Sequence, residues 1–71
     1  MMLEKVLKKL NYVLQEILLT ANIKSNSINS FLTSSYWEVF EEQVNKWMSA
    51  LKKMREGKLE EAEEILEEIY L

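Results

Sequence analysis

Apolar residues recur along the beginning of the chain at the spacing of an α-helix. Some of them stand seven residues apart, others fill the three- and four-residue steps between, and charged or amide side chains take the opposite side. The apolar stripe consists of Leu3, Val6, Leu7, Leu10, Val13, Leu14 and Ile17. Because an α-helix repeats every 3.6 residues, this pattern predicts an amphipathic helix over residues 3–22.

A second stripe alternates steps of three and four residues without a miss. It consists of Trp37, Phe40, Val44, Trp47, Leu51 and Met54. The stripe predicts a helix over residues 36–56. Ser35 and Glu38 have the spacing of a capping box, in which each side chain accepts a hydrogen bond from the other residue's backbone amide.

The third predicted helix covers residues 58–70 and follows the second almost directly. Leu59, Ala62, Leu66 and Ile69 form its apolar stripe, and glutamates cover its other side. Gly57 supplies the residue type that takes the left-handed conformation at a helix end. A connection this short predicts an antiparallel helical hairpin around Gly57.

Residues 22–35 are rich in serine and asparagine, which favour caps and turns over helix interiors. Ile28, Phe31 and Leu32 stand among them at helical spacing and predict a short helix over residues 28–34 within a polar connector. The whole pattern predicts an all-α fold. Residues 1–71 form a single domain, a small three-helix bundle.

The segment from residue 50 to residue 66 resembles the helical hairpin of a tetratricopeptide repeat. The matching positions are Ala50, Gly57, Leu59, Ala62 and Leu66. Lys53 stands where the repeat has a large aromatic residue, and the chain contains no second repeat. Because such repeats need about three copies to be stable, we interpret the likeness as shared hairpin geometry.

The amino-acid composition of the chain excludes most kinds of catalytic and metal-binding site. The chain of 71 residues has no cysteine, histidine or proline, and all 12 of its acidic residues are glutamates. A thiol nucleophile, an imidazole base and the usual zinc ligands are therefore absent, and so short a chain forms few deep pockets. We expect no enzymatic activity, no cofactor and no metal site.

The apolar runs are short. The longest unbroken one, Ile17 to Leu19, has three residues, whereas a membrane span needs about 20. The beginning of the chain also lacks the apolar block of a signal peptide. The sequence predicts a cytoplasmic protein with no membrane association.

Charge is divided unevenly along the chain. Residues 1–57 carry eight basic and six acidic residues, a net charge of +2, whereas residues 58–71 carry a net charge of −5. The predicted acidic face consists of Glu60, Glu61, Glu64, Glu67 and Glu68. This face is either solvated only, or it is functional and mimics nucleic acid or binds the groove of a basic partner. An acidic third helix argues against nucleic-acid binding by the chain itself.

Several large apolar residues fall beside the predicted stripes. They are Tyr12, Leu18, Leu19, Val39, Ile65 and Tyr70. A contiguous apolar patch usually marks an interaction site, so we predict an interface at these residues. The resulting hypothesis is a protein–protein interaction module that self-associates, as a homodimer, or serves as an accessory subunit. The alternative is a small inhibitor or regulator that acts through its acidic third helix.

Overall fold

The computed structural model describes residues 1–24 and 32–69. Within these ranges the chain forms three helices and no strand: α1 (Met2–Lys24), α2 (Tyr36–Arg55) and α3 (Leu59–Glu67). The predicted three-helix bundle is confirmed. None of these helices combines the length and the apolar character needed to cross a membrane.

The three helices pack against one another, α2 and α3 as an antiparallel hairpin and α1 alongside both. Ion pairs from Lys5 to Glu63 and from Lys9 to Glu67 advance in the same direction along α1 and α3, so these two helices run parallel. Between α1 and α2, the Trp47 indole Nε1 donates a 2.8 Å hydrogen bond to the Leu10 carbonyl oxygen.

The core is narrow and centred on α1. Its buried members are Val6, Leu10, Val13, Ile17, Ala50, Ala62, Leu66 and Ile69. On α2 the fully enclosed positions are the small Ala50 and the polar Gln43, and the large apolar side chains lie at their flanks. Because the most deeply buried position of α2 holds a small side chain, the larger apolar side chains of this helix are only partly buried or exposed.

Three residues that the stripes place on the buried faces of the helices therefore lie at the surface. Leu3 and Leu7 are 45% exposed and Trp37 is 38% exposed. The stripes of α1 and α2 are wider than the faces that these helices bury against each other and against α3. The excess remains at the surface as apolar area.

The turn at Gly57 has the predicted conformation. Gly57 has φ of +82°, and the Lys58 amide donates a 2.9 Å bond to the Lys53 carbonyl. The Gly57 amide donates a 3.0 Å bond to the Met54 carbonyl. These two bonds form a Schellman motif, which satisfies carbonyls at the end of α2 and directs the chain back into α3.

We expect Gly57→Ala to lower the free energy of unfolding by about 1 kcal/mol. An added Cβ would meet no atom within 4 Å, so the cost comes from the left-handed backbone and not from a steric clash. Gly57→Asn should cost less, because asparagine tolerates this conformation better. Urea unfolding followed by circular dichroism measures both changes, and equal losses for the two variants would contradict a conformational origin.

The ends of the helices differ from the prediction in two respects. Ser35 makes no side-chain capping bond and has helical backbone angles, because the chain enters α2 through a preceding turn in which the Trp37 amide donates to the Ser34 carbonyl. The prediction of a capping box at Ser35 and Glu38 is therefore wrong. The third helix ends at Glu67, before the predicted residue 70, since the next two amides, those of Glu68 and Ile69, bond to carbonyls three residues back.

The predicted short helix over residues 28–34 lies largely outside the described residues. Of its length, Leu32, Thr33 and Ser34 are described; Leu32 and Thr33 are helical, whereas Ser34 lies in a bend.

Candidate interaction surface

One side of the α1–α2 pair is covered by α3. Lys5 and Lys9 mark the edge of α1 that faces α3, because they pair with Glu63 and Glu67. On α2 the corresponding edge carries Lys53, which lies 3.8 Å from a Glu61 carboxylate oxygen. These ion pairs fix the rotation of α1 and α2 relative to α3.

On α1, successive residues turn by about 100°. Passing around the helix from the lysine edge, one meets the buried Val6, then Leu10, whose carbonyl accepts the Trp47 bond from α2. Beyond this contact with α2 come Leu3, Leu7, Leu14 and Leu18. Leu3, Leu7 and Leu18 are exposed, the last to 53%, and Leu14 is half-buried.

The same order holds around α2. From Lys53, which faces α3, one passes the buried Ala50 and then Trp47, which bonds to α1. Beyond Trp47 come Leu51, Val44, Trp37 and Met48. Val44 and Leu51 are half-buried, whereas Met48 is 57% exposed.

On both helices these apolar residues lie beyond the mutual α1–α2 contact, so they share the side of the pair that faces away from α3. We call this surface the α1–α2 strip. It consists of Leu3, Leu7, Leu14, Leu18, Trp37, Val44, Met48 and Leu51. Trp37 and Phe40 form a tilted ring contact at one end, with ring centroids 6.0 Å apart. Apolar side chains in such an arrangement offer a surface that a further helix can bury.

Charged residues of opposite sign stand at the two ends of the strip on α2. Glu41 lies near its amino end, and Lys52 and Arg55 lie near its carboxyl end. A shallow depression in the surface is bordered by Met48, Ser49, Leu51, Lys52 and Arg55. None of these three charged residues takes part in a described ion pair within residues 1–24 and 32–69.

The structure divides the predicted interface residues among several places. Leu18 belongs to the α1–α2 strip. Tyr12 and Leu19, seven residues apart, share a different face of α1 and are 61% and 51% exposed. Val39 borders a small pocket of about 90 Å³ beside Ile69.

The remaining two predicted interface residues are Ile65 and Tyr70. Ile65 is half-buried and packs against the core, and Tyr70 lies outside the described residues. The sequence pattern missed the exposed part of the strip because it places Leu3, Leu7 and Trp37 in the buried stripes. Val44 and Leu51 do pack against the core, as their stripe predicts, and are half-buried. The sequence does contain a pattern that indicates the strip. Positions 37, 41, 44, 48, 51 and 55 form a second line of residues along α2, in steps of four and three, which is rotated around the helix from the first apolar stripe. We call this line the second seam.

The predicted acidic face contains two kinds of glutamate. Glu61 and Glu67 form ion pairs with lysines of α2 and α1, with the Glu67 carboxylate 3.0 Å from the Lys9 ammonium. Glu60, Glu64 and Glu68 follow one another at four-residue spacing on the outer side of α3. Among the described residues none of these three has an ion-pair partner.

Two polar side chains of α2 bond to each other. The Tyr36 hydroxyl donates a 3.5 Å hydrogen bond to the amide oxygen of the buried Gln43, and burial raises the pKa of Tyr36 above its ordinary value. Tyr36 therefore stays protonated at neutral pH and serves as a donor.

The described part of the chain contains no group of three carboxylate, histidine or cysteine residues placed to hold a metal ion. Comparison of the chain with protein-family models, with curated proteins and with solved structures finds no match.

Proposed function

We propose that this chain is a small, non-enzymatic protein–protein interaction module that binds through the α1–α2 strip. It acts either by self-association or as an accessory subunit of a larger protein. The observation that carries the proposal is the apolar strip, on which leucine, methionine and tryptophan side chains stay exposed on two adjacent helices. A patch of this kind on a small domain usually marks an interaction site.

The small size of the chain supports the same proposal. Ordering a chain of this size costs nearly as much free energy as its own core returns, so small domains commonly rely on unusually complete packing or on association. Burying an exposed leucine or methionine side chain contributes about 1.5–3 kcal/mol. Burial of the strip against a partner would therefore add to the free energy of unfolding that the core alone supplies.

We expect Met48→Lys to abolish partner binding and Ser49→Lys to leave it intact. The two residues are neighbours on α2, both are exposed, and each change adds one positive charge in a good helix former. Only Met48 lies on the strip. The hydroxyl lost in the control donates only to the Asn45 carbonyl of its own helix.

The measurement is affinity capture from cells that express a tagged and an untagged copy of the chain, followed by quantitative mass spectrometry. Counting the untagged copy as a possible partner covers both forms of the proposal. Recovery of the same proteins, in the same amounts, by both lysine variants would contradict it.

A second candidate function rests on the acidic side of α3. The unpaired row of Glu60, Glu64 and Glu68 is available to a basic groove, as an inhibitor that mimics nucleic acid would require. In the same capture experiment, proteins retained by Met48→Lys but lost when these three residues are changed to glutamine would favour this function.

A further inference from the structure

We propose that the occupant of the α1–α2 strip is a second copy of this chain, bound about a two-fold axis that crosses α2 near Met48 at right angles to the helix. This inference rests on the proposed function, because it names the partner of the same surface. It is carried by the distribution of charge along the strip.

The charged and apolar residues of the second seam of α2 are placed nearly symmetrically about Met48. Glu41 lies seven residues before Met48 and Arg55 lies seven residues after it. Val44 precedes Met48 by four residues, and Leu51 follows it by three. Val44, Met48 and Leu51 thus lie between charges of opposite sign, Glu41 and Arg55, and Trp37 lies one turn beyond Glu41.

A two-fold axis perpendicular to α2 makes the helices of the two copies antiparallel. Glu41 of one copy then faces Arg55 and Lys52 of the other, and the symmetry repeats this contact at the opposite end. Met48 packs near its own counterpart, and Val44 packs near Leu51. Each of these rim charges on α2 finds an opposite charge, so the two α2 seams are electrostatically complementary.

The other two-fold arrangement that joins these faces has its axis parallel to the helices. It would place α2 over α1 of the second copy. The rim of α1 carries Glu4 and Lys8 near its amino end and the neutral Asn11 and Gln15 farther along. Glu41 would then face neutral residues and remain unpaired. The charge pattern therefore favours the axis perpendicular to α2.

The rim charges select the arrangement, and the apolar strip supplies most of the affinity. Exposed ion pairs contribute little individually, whereas like charges brought together at an interface are costly. Because a two-fold interface contains every contact twice, one substitution changes two sites in the dimer.

Sedimentation and thiol crosslinking of the full chain test the proposal together. We expect a monomer–dimer equilibrium at micromolar concentration. Glu41→Lys should raise the dimer dissociation constant by roughly tenfold, and the double variant Glu41→Lys/Arg55→Glu should recover part of this loss, because the new lysine then faces a glutamate as well as the unchanged Lys52. Since the chain has no cysteine, Met48→Cys gives a single reporter close to the axis, with Ser49→Cys as its control. We expect a covalent dimer from Met48→Cys and much less from Ser49→Cys.

Three other outcomes would overturn the proposal, and they separate it from the proposed function. A monomer at all concentrations, with partner capture still lost in Met48→Lys, would remove the second copy and leave the interaction module standing. A monomer in which Met48→Lys and Ser49→Lys capture the same proteins would remove both. A dimer weakened by Glu4→Lys but indifferent to Glu41→Lys would have its axis along the helices.

Discussion

Ile17→Ala is expected to leave much of the protein unfolded at 25 °C. Ile17 is 0% exposed and lies in the central line of α1. Truncating a fully buried isoleucine costs about 2–5 kcal/mol, since the transfer free energy of the side chain is lost and a cavity remains. A single core of this size rarely supplies more than about 3–5 kcal/mol, so the loss approaches the whole stability.

Leu19→Ala provides the matched control for this change. It lies two residues away on the same helix, has a similar volume and is 51% exposed, so its free energy of unfolding should change by less than about 0.5 kcal/mol. Both variants are compared with the parent by urea unfolding at one protein concentration, because association would add to the apparent stability. Similar losses for the two variants would mean that α1 presents a different face to the core.

Ala50→Leu is the second change for which we expect a large effect. Ala50 and Ala62 are both 0% exposed and belong to the core where α2 packs against α3. Three added carbon atoms would have to separate the helices or displace their neighbours, at a cost of about 1–3 kcal/mol or more. Alanine and leucine are both strong helix formers, so helix propensity contributes little to the difference.

Thermal unfolding measures the effect, with Ser49→Leu on the exposed side of α2 as the control. We expect a clear fall in the melting temperature for Ala50→Leu and little change for the control. An unchanged melting temperature in Ala50→Leu would show that the α2–α3 interface has room for a larger side chain. The close approach of these helices at Ala50 would then be contradicted.

Ala50 also explains why the interaction surface was only partly foreseeable. The sequence stripe of α2 is centred on Trp47 and Leu51, but a small side chain and Gln43 occupy the enclosed line. With α2 rotated in this way, Trp37 and Met48 reach the outer side of the α1–α2 pair. Hydrophobicity alone cannot indicate this rotation, because alanine and glutamine contribute little to an apolar stripe.

The predicted interface shows the same limit. Counting apolar residues beside the stripes correctly indicated more apolar side chains than the core could hold. It did not separate Leu18 from Leu19, although they lie on different faces of α1 at 53% and 51% exposure. Their grouping depends on which side of α1 is covered by α2 and which by α3.

The predicted acidic face was similarly divided by packing. Its glutamates lie on the third helix or, for Glu68, at the residue that follows it, but Glu61 and Glu67 meet lysines of other helices. Partners that are distant in sequence decide which carboxylates remain unpaired. The sequence therefore indicates the charge of α3 and not its free surface.

The sequence by itself determined the three helices, the turn at Gly57 and the surplus of apolar side chains. These features depend on short-range physics: the 3.6-residue period, the positive φ that glycine accepts and the spacing of residues along one helix. The tertiary structure alone decided that Leu3, Leu7, Leu18 and Met48 lie on one exposed side. That result required the rotation of each helix about its axis, which is set by close packing at Ala50 and by ion pairs between residues far apart in the chain.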